Sequence, residues 1–193
     1  MISKYLQRKI TTALTDSRRQ VWYIICSTDF GNIEEYISDT LDRISEAYLR
    51  YRKGNKKSIS AKASERYREE LEEAAAWFRE KVMEYYFRKK KERELALIQY
   101  PLLSHKVAET MRKKGLRYKF TTDRFENILT IPIEKYSFLY IPLTLDNCEQ
   151  MLDLIDYFRA RPECIKKEHP EIKVRGNYWL AQAWKQVASD GSE

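Results

Sequence analysis

This chain of 193 residues is poor in the residue types that mark linkers, disulfide frameworks and metal centres. Its 5 Gly and 5 Pro are too few for a collagen-like or linker-rich protein. Its 3 Cys form no CxxC motif, which argues against a disulfide framework and a cysteine zinc site. With only 2 His, a histidine-rich metal centre is not expected. No stretch reaches the ~20 apolar residues that a membrane-spanning helix needs.

Catalytic motifs are also missing. The sequence has no glycine-rich phosphate loop. The carboxylates of its predicted helices alternate with Arg and Lys, which is typical of an exposed face with ion pairs. A hydrolase would need a pocket in which His105 or His169 reaches a Cys, a Ser or a carboxylate, for example Cys26 or Cys148. Cys26 ends an apolar run, which favours an inert, buried thiol. Because no catalytic or metal-binding motif is found, we expect no enzymatic activity, no metal and no cofactor.

The composition that remains favours a folded, basic protein. Hydrophobic residues make up 43% and aromatics 13%, enough to form a core. Lys and Arg total 36 against 29 Asp and Glu, which gives a net charge of +7 and favours polyanionic partners. Charges at Lys4, Arg8 and Lys9 interrupt any signal-peptide core. We therefore expect a cytoplasmic protein with no membrane association.

The first half of the chain predicts one strand among helices. Residues 2–14 have helical apolar spacing, and the run VWYIICS at 21–27 is typical of a strand buried on both faces. A one-sided apolar stripe then predicts a helix to about Arg52, opened by residues that are all N-cap types: Ser27, Thr28, Asp29 and Asn32.

Residues 53–60 break that helix at Gly54–Asn55, and a longer helix runs from about Ser60 to Gln99. The two helices should pack antiparallel.

The second half predicts a helix, a meander and further helices. Pro101 should end or kink the long helix, with a short helix at 103–114 and Gly115 as its C′ residue. Three antiparallel strands and a short last strand are predicted at 117–122, 127–133, 137–143 and 171–176. The turn between the second and third strands should lie at 134–136.

Thr144, Asp146 and Asn147 offer an N-cap for a helix that should run to about Arg159. A loop is predicted at 162–170, a last helix at 178–187, and a frayed terminus at 189–193.

These elements predict an α+β fold, with a long antiparallel helical hairpin and a small, mostly antiparallel sheet flanked by helices. We expect one domain over residues 1–193. The hairpin, residues 32–99, should protrude, and residues 103–187 should form a helix–meander–helix region.

Three basic clusters with interleaved aromatics are the main functional signal. Cations can bind phosphates, and aromatic rings can stack on unpaired bases. The first cluster comprises Arg50, Arg52, Lys53, Lys56 and Lys57. The other two supply the predicted nucleic-acid contacts, which are Arg88, Lys89, Lys90, Lys91, Arg93, Lys113, Lys114, Arg117 and Lys119.

We expect a non-enzymatic protein that associates with DNA or RNA. The helix at 103–114 and the hairpin at 117–133 resemble the recognition helix and wing of a winged helix-turn-helix, which is one form of this hypothesis. The alternative is an interaction or assembly module, in which the long helix binds a protein partner or a second copy of the chain. This alternative predicts an exposed apolar strip on the long helix.

Overall fold

The computed structural model describes residues 2–27, 31–54, 60–134 and 136–189. It confirms the α+β fold, with a long helix and a four-stranded antiparallel sheet flanked by helices. The elements in chain order are α1 Lys4–Cys26, α2 Ile33–Lys53, α3 Ala61–Lys114, β1 Lys119–Asp123, β2 Glu126–Pro132, β3 Ser137–Leu143, α4 Cys148–Asp153, α5 Ile155–Ala160, α6 Pro162–Glu168, β4 Lys173–Gly176 and α7 Tyr178–Ser189. The chain divides into two compact units, residues 1–91 and 92–193. The single domain over 1–193 stays a prediction.

The first unit is a bundle of α1, α2 and the first part of α3. Tyr48, near the end of α2, hydrogen bonds to Glu70, near the start of α3. Glu34, at the start of α2, pairs with Arg79, farther along α3. The two helices therefore pack antiparallel, which confirms the predicted hairpin.

The prediction of a buried strand at 21–27 is wrong, because these residues form the end of α1 and the residue that follows it. The polar residues before them, Asp16 to Arg19, do not form a turn that ends the helix. Ser17 is buried, and its hydroxyl donates to the Ala13 carbonyl at 2.7 Å. The Ser17 and Tyr36 hydroxyls also hydrogen bond, at 3.0 Å. Val21 is fully buried in the core of this unit. Packing thus overrides a β propensity that spans only about 1 kcal/mol.

The second unit contains the sheet, in the order β1-β2-β3-β4, with every neighbouring pair antiparallel. One face of the sheet, the inner face, packs on the last part of α3 and on α4 and α5. Leu129, Ile131, Leu139 and Ile141 point into this core, where α3 contributes Leu103 among others. The three predicted strands and the short last strand are thereby joined in one meander.

α3 does not end near Pro101 and no separate helix forms at 103–114, because α3 continues to Lys114. The alternative, a kink at Pro101, stays a prediction. Pro101 lacks the N–H that would bond to the Leu97 carbonyl, but both residues are exposed, so water can satisfy that carbonyl. Gly115, with φ 62°, ends α3 as predicted, and the Leu116 N–H bonds to the Met111 carbonyl at 3.0 Å. A separate recognition helix is therefore absent from the described part of this region.

Two other predictions are corrected. The predicted loop at 162–170 contains α6, which begins at Pro162 and is held to the core by the buried Ile165. The predicted helix to Arg159 is divided at Leu154 into α4 and α5.

Asn32 caps α2, accepting a hydrogen bond from the Glu35 N–H at 2.8 Å. Some predictions fall outside the described residues, namely those on Thr28, Asp29, Asn55, Lys56, Lys57, Lys135 and residues 190–193.

Candidate nucleic-acid interface

Arg88, Lys89, Lys90 and Lys91 are successive residues of α3, where each residue turns about 100° from the last. They therefore spread around the helix instead of sharing one face. The Arg88 guanidinium lies 5.4 Å from the centre of the Tyr85 ring, and both residues line a groove of about 270 Å³ in the first unit. Lys90 and Lys91 are exposed.

Arg93 belongs to the second unit and holds the turn between β1 and β2. Its Nη1 donates to the Arg124 carbonyl at 2.8 Å. Arg124 has a positive φ of 56°, which is uncommon for a residue with a side chain. The bond from Arg93 therefore stabilises a turn whose backbone conformation is unfavourable by itself. This guanidinium therefore has a structural partner.

Lys113 and Lys114, at the end of α3, both have carboxylate partners. The Lys113 Nζ lies 2.7 Å from Glu109 Oε1, and the Lys114 Nζ lies 2.5 Å from Asp156 Oδ2. The Lys113 ammonium lowers the pKa of Glu109, which keeps this carboxylate charged. Both pairs reduce the positive potential at this end of the helix.

Arg117 and Lys119 lie on either side of the start of β1. The Arg117 Nη1 donates to the Trp184 carbonyl of α7 at 3.3 Å. Lys119 is exposed at the first position of the strand.

Lys119 begins a row of side chains that crosses all four strands. It is paired with Thr130 on β2, Thr130 with Tyr140 on β3, and Tyr140 with Lys173 on β4. Directly paired residues point to the same face of a sheet. We call these four residues the cross-strand row, and the face that they occupy, opposite the inner face, the outer face. The row has a lysine at each end and a hydroxyl group on each residue between them.

Further charges lie on the outer face, since alternate residues of a strand share a face. Arg175, two residues after Lys173, adds an exposed cation. Asp123, four residues after Lys119, adds an acidic group near the hairpin turn. The positive charge of this face therefore lies away from the β1–β2 turn.

α7 packs on part of the outer face, where Phe138 is buried and its ring centre lies 5.3 Å from that of Trp184. An open cleft of about 470 Å³ lies over the same face where α7 begins. Its lining residues come from the sheet and from the start of α7, and include Lys119, Thr121, Thr130, Tyr140, Asn177 and Trp179. The exposed fraction of Trp179 is 82%, whereas Thr130 is buried. The cleft thus combines a cation, hydroxyl groups and an open aromatic ring.

Asn177 fixes the start of α7 against β3. Its Nδ2 donates to the Tyr140 hydroxyl at 3.1 Å, and its backbone N–H donates to the Tyr136 carbonyl at 2.8 Å. Its Oδ1 accepts from the Leu180 N–H at 3.0 Å, which caps the helix. These bonds set the position of Trp179 beside the cleft.

Sequence reasoning identified Lys119 but missed Tyr140, Lys173 and Trp179. The alternation of each strand could have placed Tyr140 and Lys173 on outward positions. Which outward positions face one another depends on the strand register, which the sequence pattern alone did not specify.

None of the three described clefts contains the histidine that the hydrolase alternative requires. Burial raises the pKa of the Cys148 thiol, which disfavours a thiolate nucleophile. The His169 Nδ1 lies 3.1 Å from Glu171 Oε1, but neither His169 nor His105 lines the groove at Arg88, the cleft over the outer face, or a third pocket beside Asn127.

No cluster of three or more potential metal ligands occurs within the described ranges. The helices of the described residues also include none with the length and apolarity of a membrane span. Comparison with known proteins gives no match to a family model, a curated protein or a solved structure.

Proposed function

We propose that this protein binds nucleic acid, without catalysing a reaction, through the outer face of its sheet. The observation that carries the proposal is the cross-strand row, which places Lys119 and Lys173 at opposite edges of one face. Three strand spacings separate them, about 14 Å. Cations at this separation can hold phosphates at both edges of the face.

The groups between the two lysines suit the rest of a nucleotide. Tyr140 offers a hydroxyl group that can bond to sugar or base, together with an aromatic ring, whereas Thr130 is buried. Arg175 adds a third cation beside Lys173. Of the contacts predicted from sequence, this proposal keeps Lys119 at its centre. Phosphate contacts by Arg88 to Lys91 stay a prediction. For the location of the protein in the cell, we propose the cytoplasm.

The proposal is tested by fluorescence anisotropy with labelled single-stranded and double-stranded DNA and RNA across a salt series. Binding should weaken as salt rises, with a log–log slope of about −2 or steeper, because three phosphates, one for each of Lys119, Lys173 and Arg175, lose condensed counterions. An absence of binding to all four probes at low salt, where electrostatic attraction is strongest, would refute the proposal.

A second candidate function, self-association, is favoured by one ridge of α3 in the second unit. Ile98 and Leu102 are four residues apart and have exposed fractions of 73% and 61%. Glu94 lies one turn before them and Lys106 one turn after, on the same ridge. We call these four residues the α3 ridge. The core residues of this part of α3, such as Leu103, lie on the opposite side of the helix.

The charge order of the α3 ridge fits a second copy of the chain. When two ridges pair antiparallel about a two-fold axis, Ile98 of each copy meets Leu102 of the other, and Glu94 meets Lys106. Lys106 contacts Glu149 at 2.7 Å within one chain and would exchange that partner for Glu94 of the second copy. The proposed occupant is therefore a second protomer.

Light scattering after size-exclusion chromatography tests this second candidate. We expect a dimer that Ile98→Lys converts to a monomer, while Leu97→Lys is the control. Leu97 is also half exposed, but it lies about 100° around the helix from Ile98. A wild-type protein that stays monomeric as its concentration rises would exclude the ridge as a dimer interface.

A further inference from the structure

Trp179 has the highest exposed fraction among the large hydrophobic side chains of the described residues. A tryptophan ring in contact with a partner can remove about 150–250 Å² of surface from water. In the free protein this ring stays in solvent, so the favourable free energy of burying it is not realised. A ligand that covers Trp179 would gain it on binding.

The Trp179 ring contacts the ring of its neighbour Tyr178. Tyr178 contacts it edge to face, with ring centres 5.7 Å apart and planes at 78°. Tyr178 in turn contacts Tyr136, with ring centres also 5.7 Å apart. Because these contacts and the cap at Asn177 already order the start of α7, covering Trp179 should cost little conformational entropy.

The cleft beside Trp179 offers the other groups that a nucleotide needs. Its volume, about 470 Å³, lies within the usual range for small-molecule sites. Among its lining residues Thr121 and Asn177 supply hydrogen-bonding groups, Lys119 supplies a cation, and Asp123 places a carboxylate toward the β1–β2 turn. Nucleobases combine a flat aromatic face with polar edges, and each is attached through its sugar to a phosphate.

We infer that the cleft binds an unpaired base of a single-stranded nucleic acid, with the base stacked on Trp179 and a neighbouring phosphate near Lys119. This inference rests on the proposed function and adds the strand type and the base-stacking residue. A base inside a duplex has both faces covered by its neighbours, so it cannot stack on Trp179 without leaving the helix. The site therefore selects single strands.

Three probes of about 12 nucleotides separate base stacking from phosphate binding: a single strand, its duplex, and a strand of abasic sites with the same backbone. Trp179→Ala should raise the Kd for the single strand about 5- to 150-fold, as expected for the loss of one stacked base. It should leave the Kd for the abasic strand unchanged. Trp179→Phe should restore most of the affinity, because it restores an aromatic face.

The control is Leu97→Ala, which removes an exposed apolar side chain outside the cleft and should leave all three Kd values unchanged. Because Trp179 is so exposed, its replacement should not unfold the protein, which thermal melting can verify. If Trp179→Ala leaves single-strand binding unchanged while salt-dependent binding persists, the stacking inference fails and the proposed function stands. If no probe binds the wild type, both fail.

Discussion

Lys119 on β1 and Lys173 on β4 end the same row of paired residues, so their side chains lie on one face of the sheet. Replacing both by Gln removes two positive charges and leaves the strand pairing intact. We expect weaker binding to single-stranded probes. The magnitude of the log–log salt slope should fall by about 0.7 for each phosphate that the variant no longer neutralises, or about 1.4 in total.

Lys167→Gln is the control for these charge changes. Lys167 is exposed on α6, and α6 packs into the core through Ile165. Its replacement removes one charge without changing the outer face, so the salt slope should not change. If the single variants Lys119→Gln and Lys167→Gln changed the salt slope equally, binding would depend on net charge and not on the outer face.

Glu70 is predicted to stabilise the helical hairpin. Its carboxylate is buried, accepts a hydrogen bond from the Tyr48 hydroxyl, and pairs with Arg52 Nη2 at 3.0 Å. Glu70→Gln removes the charge from this network and should lower the free energy of unfolding by about 1–3 kcal/mol. Urea denaturation measures the change. Glu69→Gln, at an exposed neighbouring position, should have little effect, and equal losses from the two variants would contradict the assignment.

The same carboxylate predicts a dependence of stability on pH. Burial acts to raise the pKa of Glu70, but hydrogen bonds from Tyr48 and Arg52 outweigh it, and the pKa falls below its ordinary 4.5. The stabilisation should therefore be complete well above pH 4.5 and be lost as the pH falls through the lower folded value. Between about pH 5 and 3, the free energy of unfolding should fall more in the wild type than in Glu70→Gln. Parallel curves would contradict this assignment.

Asn127 is predicted to stabilise the second unit by joining β2 to α3. It is buried, its Nδ2 donates to the Ala96 carbonyl at 2.8 Å, and its Oδ1 accepts from the Thr122 hydroxyl at 2.8 Å. Asn127→Leu keeps the number and branching of the side-chain heavy atoms but loses both bonds, and should cost about 1–3 kcal/mol. Thr122→Val loses only the second bond and should cost less. Thermal or urea unfolding that shows a larger loss for Thr122→Val would disagree with this assignment.

Sequence patterning predicted those elements whose local signals agree with their packing. The helical hairpin and the antiparallel strands have clear apolar periodicity, and Gly115 ends α3 where a left-handed residue is required. The errors came where a local signal was overridden. Val21 has strand propensity but is buried in a helical bundle, and Pro101 is tolerated at an exposed position of α3.

The candidate site was less predictable than the fold, because it depends on pairings across the sheet. Lys119 could be singled out from its basic neighbourhood. Its alignment with Lys173, 54 residues away in sequence, requires three strand registers, each fixed by core packing that local patterns do not specify. Conversely, the run of cations at 88–91 looks concentrated in sequence but is spread around a helix.

The most direct test of the outer face is to titrate isotope-labelled protein with a single-stranded oligonucleotide and follow the ¹H–¹⁵N NMR spectrum. We expect the shifts to concentrate at Lys119, Tyr140, Lys173 and the indole N–H of Trp179. Residues of the inner face, such as Leu129 and Leu139, should change little. Saturable binding with shifts that avoid the outer face would contradict the account.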